Sequence, residues 1–421
     1  MLKRTVLSVA ACAFALTFSL TDRVAAQTVA YTGATVWDGT GGPSQRGMTL
    51  IVEDGRIVSL EPDGRIPAGA TTVDLNGRFV IPGLIDTHAH VSGRWAAPDV
   101  SGDEDRVRGD LSLFAAYGVT TVNSLGDGDA AISVRDAGPS GAPHARLLAA
   151  GPVIAAATAA EARRAAEANA NAGVDWLKLR VDDNLGTGQK MPWDAVQAVL
   201  DVGEERGIPV ATHLFYQEDA RRLLEMGTGM IAHSIRDADV DDALIESLLA
   251  SQVCYVPTLT REVSTFIYAN RPGFFDEDFF LEYADEAEVA RLSESATMAG
   301  FADSPAAAGY RVALRQALEN LPPLIEAGVP VAFGTDAGPA ARFPGYFQHM
   351  ELALMVGAGL TPEQALTSAT RTAASCLGRD DIGTLEPGRW ADFLVLTADP
   401  LRDITNSKTL EQVYIGGQAV R

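Results

Sequence analysis

The stretch Val80-Ile81-Pro82-Gly83-Leu84-Ile85-Asp86-Thr87-His88-Ala89-His90 divides the chain into two rhythms. It is an apolar run, interrupted by Pro-Gly, resumed, and ended by a His-x-His pair. A short continuous apolar run suits a strand buried on both faces. Alternate residues of an extended chain point the same way. His88 and His90 therefore aim two imidazoles at one point, as a metal ion needs.

Upstream of this stretch the chain reads as β structure. Short apolar runs (Val29–Tyr31, Thr49–Val52, Ile57–Leu60, Thr71–Val73, Phe79–Ile81) alternate with turns such as Glu53-Asp54-Gly55 and Leu75-Asn76-Gly77. The C-terminus has the same style, with strands over Asp392–Leu396 and Gln412–Ile415 before Gly416-Gly417. Segments 27–82 and 383–421 are therefore expected to form one composite β-sandwich domain.

The middle, 83–382, alternates short apolar runs with helical patterns. Eight runs stand out: Gly83–Ile85, Thr120–Ser124, Arg146–Ala150, Trp176–Leu179, Val210–His213, Met230–His233, Cys254–Pro257 and Val331–Phe333. Helices are expected at Thr158–Asn171, Pro192–Arg206, Glu218–Met226 and Asp241–Ser251, the second opening on proline and closing at Gly207. Eight strand–helix units give an α/β fold, a (β/α)8 TIM barrel whose active residues would sit at the C-terminal strand ends. A doubly wound sheet is the alternative, but no Gly-x-Gly-x-x-Gly loop follows the first strand. Residues 258–312 form an insertion rich in aromatics, among them Phe274, Phe275, Phe279, Phe280 and Tyr310. So long a connection suggests a lid over the site or an oligomer contact.

The histidines fall where a barrel would gather them. His213 closes the fifth run, His233 the sixth, and Asp336 follows the eighth. With His88 and His90 they put four imidazoles and a carboxylate on one rim. Lys178 ends the fourth run. An ammonium beside divalent cations is electrostatically unfavourable, whereas desolvation favours the neutral amine. A neutral amine can add carbon dioxide, giving an anionic carbamate (N6-carboxylysine) able to bridge two metals.

These residues resemble the amidohydrolase superfamily, in particular the imidazolonepropionase-related branch with binuclear dipeptidases and ochratoxin-type amidases. The likeness spans Val80–His90, Gly334-Thr335-Asp336-Ala337-Gly338 and Gly383–Leu396, nearly the whole chain after its leader. It implies that His88, His90 and Asp336 bind one divalent metal, that His213 and His233 bind a second, and that carboxylated Lys178 bridges them. Zinc suits such imidazole and oxygen ligands. Asp336, His233 and Tyr216 are the implied catalytic residues, with Tyr216 reaching the scissile carbonyl. Tyr216, Arg180, Arg342 and His349 are candidates for substrate binding, and Arg261 is a further candidate for a substrate carboxylate.

The implied reaction is hydrolysis of an amide in an N-acyl amino acid or dipeptide-like substrate by a hydroxide shared between two cations. Ester, lactone or phosphotriester hydrolysis, mononuclear opening of a cyclic amide, and a non-catalytic metal-binding protein are the alternatives. The chain departs from dipeptidase relatives in lacking a Gly-Gly-His stretch after the third strand. Lys178 in turn argues against the mononuclear cyclic-amide enzymes, which generally lack it.

Bulk properties fit this picture. The 421 residues are 47% hydrophobic and 21% charged, as in ordinary globular proteins. Lys3 and Arg4, an apolar run to Leu20, and Val24-Ala25-Ala26 lay out a signal peptide over 1–26, implying a periplasmic or secreted enzyme. Val9-Ala10-Ala11-Cys12 resembles a lipoprotein box, but the apolar run continues past it. A formal net charge of −22 disfavours nucleic acid and anionic membranes as partners. The expected partner is a small-molecule substrate, with homo-oligomerisation open. After the leader only Cys254 and Cys376 remain, both in apolar contexts that suggest buried free thiols.

Overall fold

The computed structural model describes residues 28–97, 99–138 and 142–420. The leader over 1–26 lies outside the described residues. Strands β1 Thr28–Val36, β2 Gln45–Glu53, β3 Arg56–Pro62, β4 Thr71–Asp74 and β5 Phe79–Pro82 open the chain. They share a sheet with β13 Phe393–Leu396, β14 Leu410–Ile415 and β15 Gln418–Ala419, in the order β15-β14-β13-β5-β1-β2-β3 with β4 also on β1. The two ends of the chain meet where Leu394 pairs antiparallel with Ile81. The β2–β3 turn needs positive φ at two successive residues, Asp54 (49°) and Gly55 (76°). A Cβ at position 55 would also lie 2.8 Å from the Gly416 carbonyl oxygen.

Between these ends lie two parallel sheets. One joins β6 Leu84–Ala89, β7 Val119–Ser124 and β8 Arg146–Ala149; the other joins β9 Leu177–Arg180, β10 Val210–His213, β11 Met230–Ala232 and β12 Cys254–Val256. Backbone bonds link them on both sides. Ile154 exchanges bonds with Lys178 and Arg180, and Ala332 N donates to Tyr255 O while Thr87 N donates to Phe333 O. Segment 331–333 thus takes the eighth place as a bridge rather than a full strand. Every residue of β6 is buried, as expected for a parallel strand covered on both faces.

The expected helices form within a residue or two. Thr158 caps Ala159–Asn171 through its side chain, Asp241 caps Asp242–Ser251, and Gly207 ends Trp193–Arg206 in the left-handed region. Segment 258–312 folds into short helices leading into Pro305–Ala327. Its aromatics are used mainly as core. Phe274, Phe275 and Phe280 pack against Phe343 and Tyr346 from the segment after Asp336, and Tyr268 donates to the Ala341 carbonyl.

One expectation is corrected. Cys254 and Cys376 are not free thiols but a disulfide, with Cα atoms 5.9 Å apart across 122 residues of sequence. Their apolar contexts signalled burial correctly for Cys254, but pairing depends on the start of β12 meeting the helix at 376 in space.

Candidate metal centre

The centre is assembled from the C-terminal ends of the parallel strands. β6 delivers His88 and leads to His90, β9 carries Lys178, and β10 ends on His213. His233 follows β11 and Asp336 follows 331–333. His233 (φ 76°), Thr258 (49°) and Asp336 (57°) all have left-handed backbone, which side-chain-bearing residues seldom adopt. Such strain persists where surrounding structure over-determines it, commonly at functional sites.

All six predicted ligands converge. His90 Nε2 lies 3.0 Å and His88 Nε2 3.8 Å from Asp336 Oδ1. Lys178 Nζ lies 3.5 Å from His88 Nε2. The rings of His88 and His233 are 4.6 Å apart, and those of His213 and His233 4.1 Å. His88, His233 and Asp336 each offer a ligand atom within 4.8 Å of the others'. His88, Lys178, His233 and Asp336 are buried, while His90 and His213 are half-buried.

Burial sets the charge states. It holds His88 and His233 well below the ordinary histidine range and brings His213 down to about 3 despite Asp182. It also lowers the Lys178 amine to about 7. Burial opposes ionisation of Asp336, but Arg342, His90 and His88 outweigh it and keep the carboxylate ionised. His90 departs from the other imidazoles. Burial would lower it, yet Asp127 and Asp336 raise it to about 9. His90 thus carries its proton between two carboxylates, Asp127 and Asp336. Neutral His88, His213 and His233 and an ionised Asp336 are donor states a divalent metal requires, and His90 would join them on giving up its proton, so the residues present suit one.

A second layer orients the imidazoles and was not foreseen from sequence. His213 Nε2 bonds Asp182 at 2.8 Å, which holds its ring against that of His233. His233 Nδ1 bonds Thr258 Oγ1 at 2.7 Å, leaving Nε2. Asp127 Oδ2 stands 3.7 Å from His90 Nδ1. Such partners fix ring orientation and raise ligand basicity. Asp182 and Asp127 were legible only as acids shortly after the fourth and second strand runs. Asp86 braces β6 against the eighth segment, accepting from His88 N, Thr335 Oγ1 and Gln348 Nε2.

The predicted substrate residues fare differently. His349 is a correction: it is buried, with Nδ1 bonded to Ser407 Oγ and Nε2 to the Tyr117 carbonyl, both at 2.9 Å. Both ring nitrogens are committed inside the fold, because the helix Tyr346–Gly357 turns that face toward Ser407. Arg342 donates to Asp336 and to Ser264, so it holds a centre carboxylate. Arg180 turns to Asn184 at the surface. Tyr216 precedes the helix Gln217–Glu225 and donates to Asp183 at 2.9 Å.

Residues 79–420 match the model of the amidohydrolase family. An imidazolonepropionase from Deinococcus radiodurans is 28% identical over 400 residues, covering 87% of this chain and 90% of its own. A candidate prolidase from Bifidobacterium longum has a similar structure, with a TM-score of 0.75 at 27% identity over 93% of this chain and 94% of that one. A Xaa-Pro dipeptidase solved with bound methionine reaches 0.73 at 22% identity, covering 93% and 99%, which shows a common fold.

Proposed function

The chain belongs to the amidohydrolase family and is a hydrolase of carbon–nitrogen bonds, and from that premise we propose that it cleaves the amide of an N-acyl amino acid or dipeptide-like substrate with an apolar or aromatic group, using two divalent cations. His88, His90 and Asp336 would hold one cation and His213 and His233 the other. Zinc is the proposed metal, since it accepts this imidazole and carboxylate set. The observation that carries the two-metal reading is Lys178, buried beside His88 with its amine lowered to about 7. At neutral pH much of that amine is unprotonated. Its nitrogen can add carbon dioxide, lose a proton to solvent and become an anion with two oxygens.

Bound there, divalent cations supply a water acidic enough to be deprotonated near neutrality and polarise the scissile carbonyl. Asp336 accepts the proton of the attacking water and passes it to the leaving nitrogen. Arg342 positions that carboxylate. Asp182 and Thr258 keep His213 and His233 in the tautomers the site needs. Tyr216 stabilises the oxyanion once its hydroxyl leaves Asp183.

A panel of N-acyl amino acids, dipeptides, esters, lactones and a phosphotriester, offered to metal-replete enzyme, tests this reading. Amide turnover is the expected outcome. Turnover of esters alone would transfer the centre to ester chemistry, and bound metal without turnover of any class would make the protein a binder.

Export is part of the proposal. The Cys254–Cys376 disulfide supports it, since such bonds persist in oxidising compartments. Intact-mass measurement of protein from the native cell should find an N-terminus at Gln27; retention of Met1–Ala26 would sink the leader assignment.

A further inference from the structure

The loop after Asp336 is gripped by the aromatic-rich insertion. Ala341 has left-handed backbone (φ 65°), which a residue with a Cβ seldom adopts unless its surroundings hold it there. Both of its backbone groups are bonded to side chains of 258–312. Glu288 Oε1 accepts from Ala341 N at 2.8 Å, and the Tyr268 hydroxyl donates to Ala341 O at 2.6 Å. Glu288, Tyr268 and Ala341 are all buried. Burial opposes ionisation of Glu288, yet Arg291 and the Ala341 amide outweigh it and hold the carboxyl below its usual range. Burial also keeps the Tyr268 hydroxyl protonated. Each group is thus in the state that its bond to Ala341 requires.

The next residue, Arg342, meets the centre. Its Nη1 donates to Asp336 Oδ2 and its Nε to Ser264 Oγ. Ser264, a third residue of the insertion, gives its single hydroxyl proton to the Arg261 carbonyl, which leaves its oxygen to accept from Arg342. The loop is tied to His90 as well. His90 N donates to Ala337 O at 2.8 Å, and a Cβ at Gly338 would lie 2.3 Å from the His90 carbonyl oxygen. Gly338 N closes the loop on Arg342 O at 3.0 Å. Without the two bonds at Ala341, its backbone would relax toward the ordinary regions and turn the peptide that carries Arg342.

We propose that Glu288 and Tyr268 are positioning residues for the hydrolytic centre: by fixing Ala341 they aim Arg342 at Asp336, and so set the carboxylate that meets the metal and carries the proton. The insertion serves the reaction as a buttress behind the centre. This rests on the reading of Asp336 as a metal ligand and proton carrier.

Zinc-loaded protein tests it without a substrate. Release of zinc to a chromogenic chelator should be about 10-fold faster in Glu288→Met and in Tyr268→Phe, the size of effect that losing an orienting partner has on a metal site. Tyr268→Phe keeps the ring packed against Phe275 and Phe301. Glu288→Gln keeps an oxygen for the Ala341 amide and gives up only its charge toward the exposed Arg94 and Arg291. It should bring release back to within about twofold of wild type, since such exposed pairs contribute little. On an amide that the enzyme turns over, kcat should fall about 10-fold in the Met and Phe variants with KM within about twofold, as for an interaction made in the transition state. Hydrogen exchange reads the grip itself, and the Ala341 amide should exchange faster in Glu288→Met. Faster exchange with unchanged zinc release and kcat overturns the proposal, as does a loss in Glu288→Gln equal to that in Glu288→Met. Asp336→Asn, measured beside them, separates this from the reading it rests on. If Asp336→Asn keeps its zinc and its activity, the role of Asp336 fails and the proposal with it. If Asp336→Asn loses both while Glu288→Met and Tyr268→Phe lose neither, the positioning role alone fails.

Discussion

Lys178 shows how the meaning of a residue depends on its surroundings. On a solvated surface its amine would be an ammonium at neutral pH. Within β9, buried beside His88, it is drawn to about 7. Burial makes the neutral form accessible, and the neutral form is the one that can be carboxylated. Lys178→Ala should therefore lower bound metal from two ions per chain toward one and cut kcat/KM by about 100-fold or more, as loss of a metal ligand together with its orienting contacts does. Metal analysis beside steady-state kinetics checks this, and two retained metals with full activity would end the bridging role. His349 makes the opposite point. A histidine thirteen residues beyond Asp336 resembles a site residue, yet it lies within the helix Tyr346–Gly357, and its two bonds to Ser407 and Tyr117 make it part of the framework. Residue type alone does not distinguish these cases, because both side chains are buried polar groups whose roles depend on what they touch.

At the scale of elements, the repeating strand–helix units were legible because periodicity is local. Apolar runs of three to five residues, helix caps and terminal glycines all lie within one segment, and the strands and helices formed close to the expected places. The insertion was harder. Its aromatics suggested a lid, but composition does not show which way a ring points. Phe280 is fully buried against Phe343 and Tyr346, and Tyr117 donates to its carbonyl. Phe280→Ala should cost about 3–5 kcal/mol, as truncations of buried aromatics do. Chemical denaturation with metal saturating measures that cost; a loss under 1 kcal/mol would show that the ring is not core. The left-handed residues at the strand ends, His233, Thr258 and Asp336, likewise carry no sequence signature. Each requires its neighbours to hold it in that region.

At the scale of the molecule, two long-range links tie the chain together. The shared sheet pairs β13 with β5, so the C-terminal strands complete a structure begun before the first histidine. The disulfide closes a second loop of 122 residues. Cys254→Ser should lower unfolding free energy by about 2–5 kcal/mol in oxidised protein and make stability insensitive to reductant. Wild type should lose a similar amount on reduction, measured as a shift of the denaturation midpoint. An unchanged midpoint would show that the bridge contributes nothing. By itself the sequence determined the alternating architecture and which six residues come together at the candidate centre, because local periodicity places each of those side chains within or just after a strand run. Only the tertiary structure decided what those residues touch, with Asp182, Asp127 and Thr258 behind the imidazoles and Arg342 on Asp336, and that Cys254 bonds Cys376. Those contacts join residues far apart in the chain, and their energies depend on burial and distance, which exist only once the strands have closed around the centre.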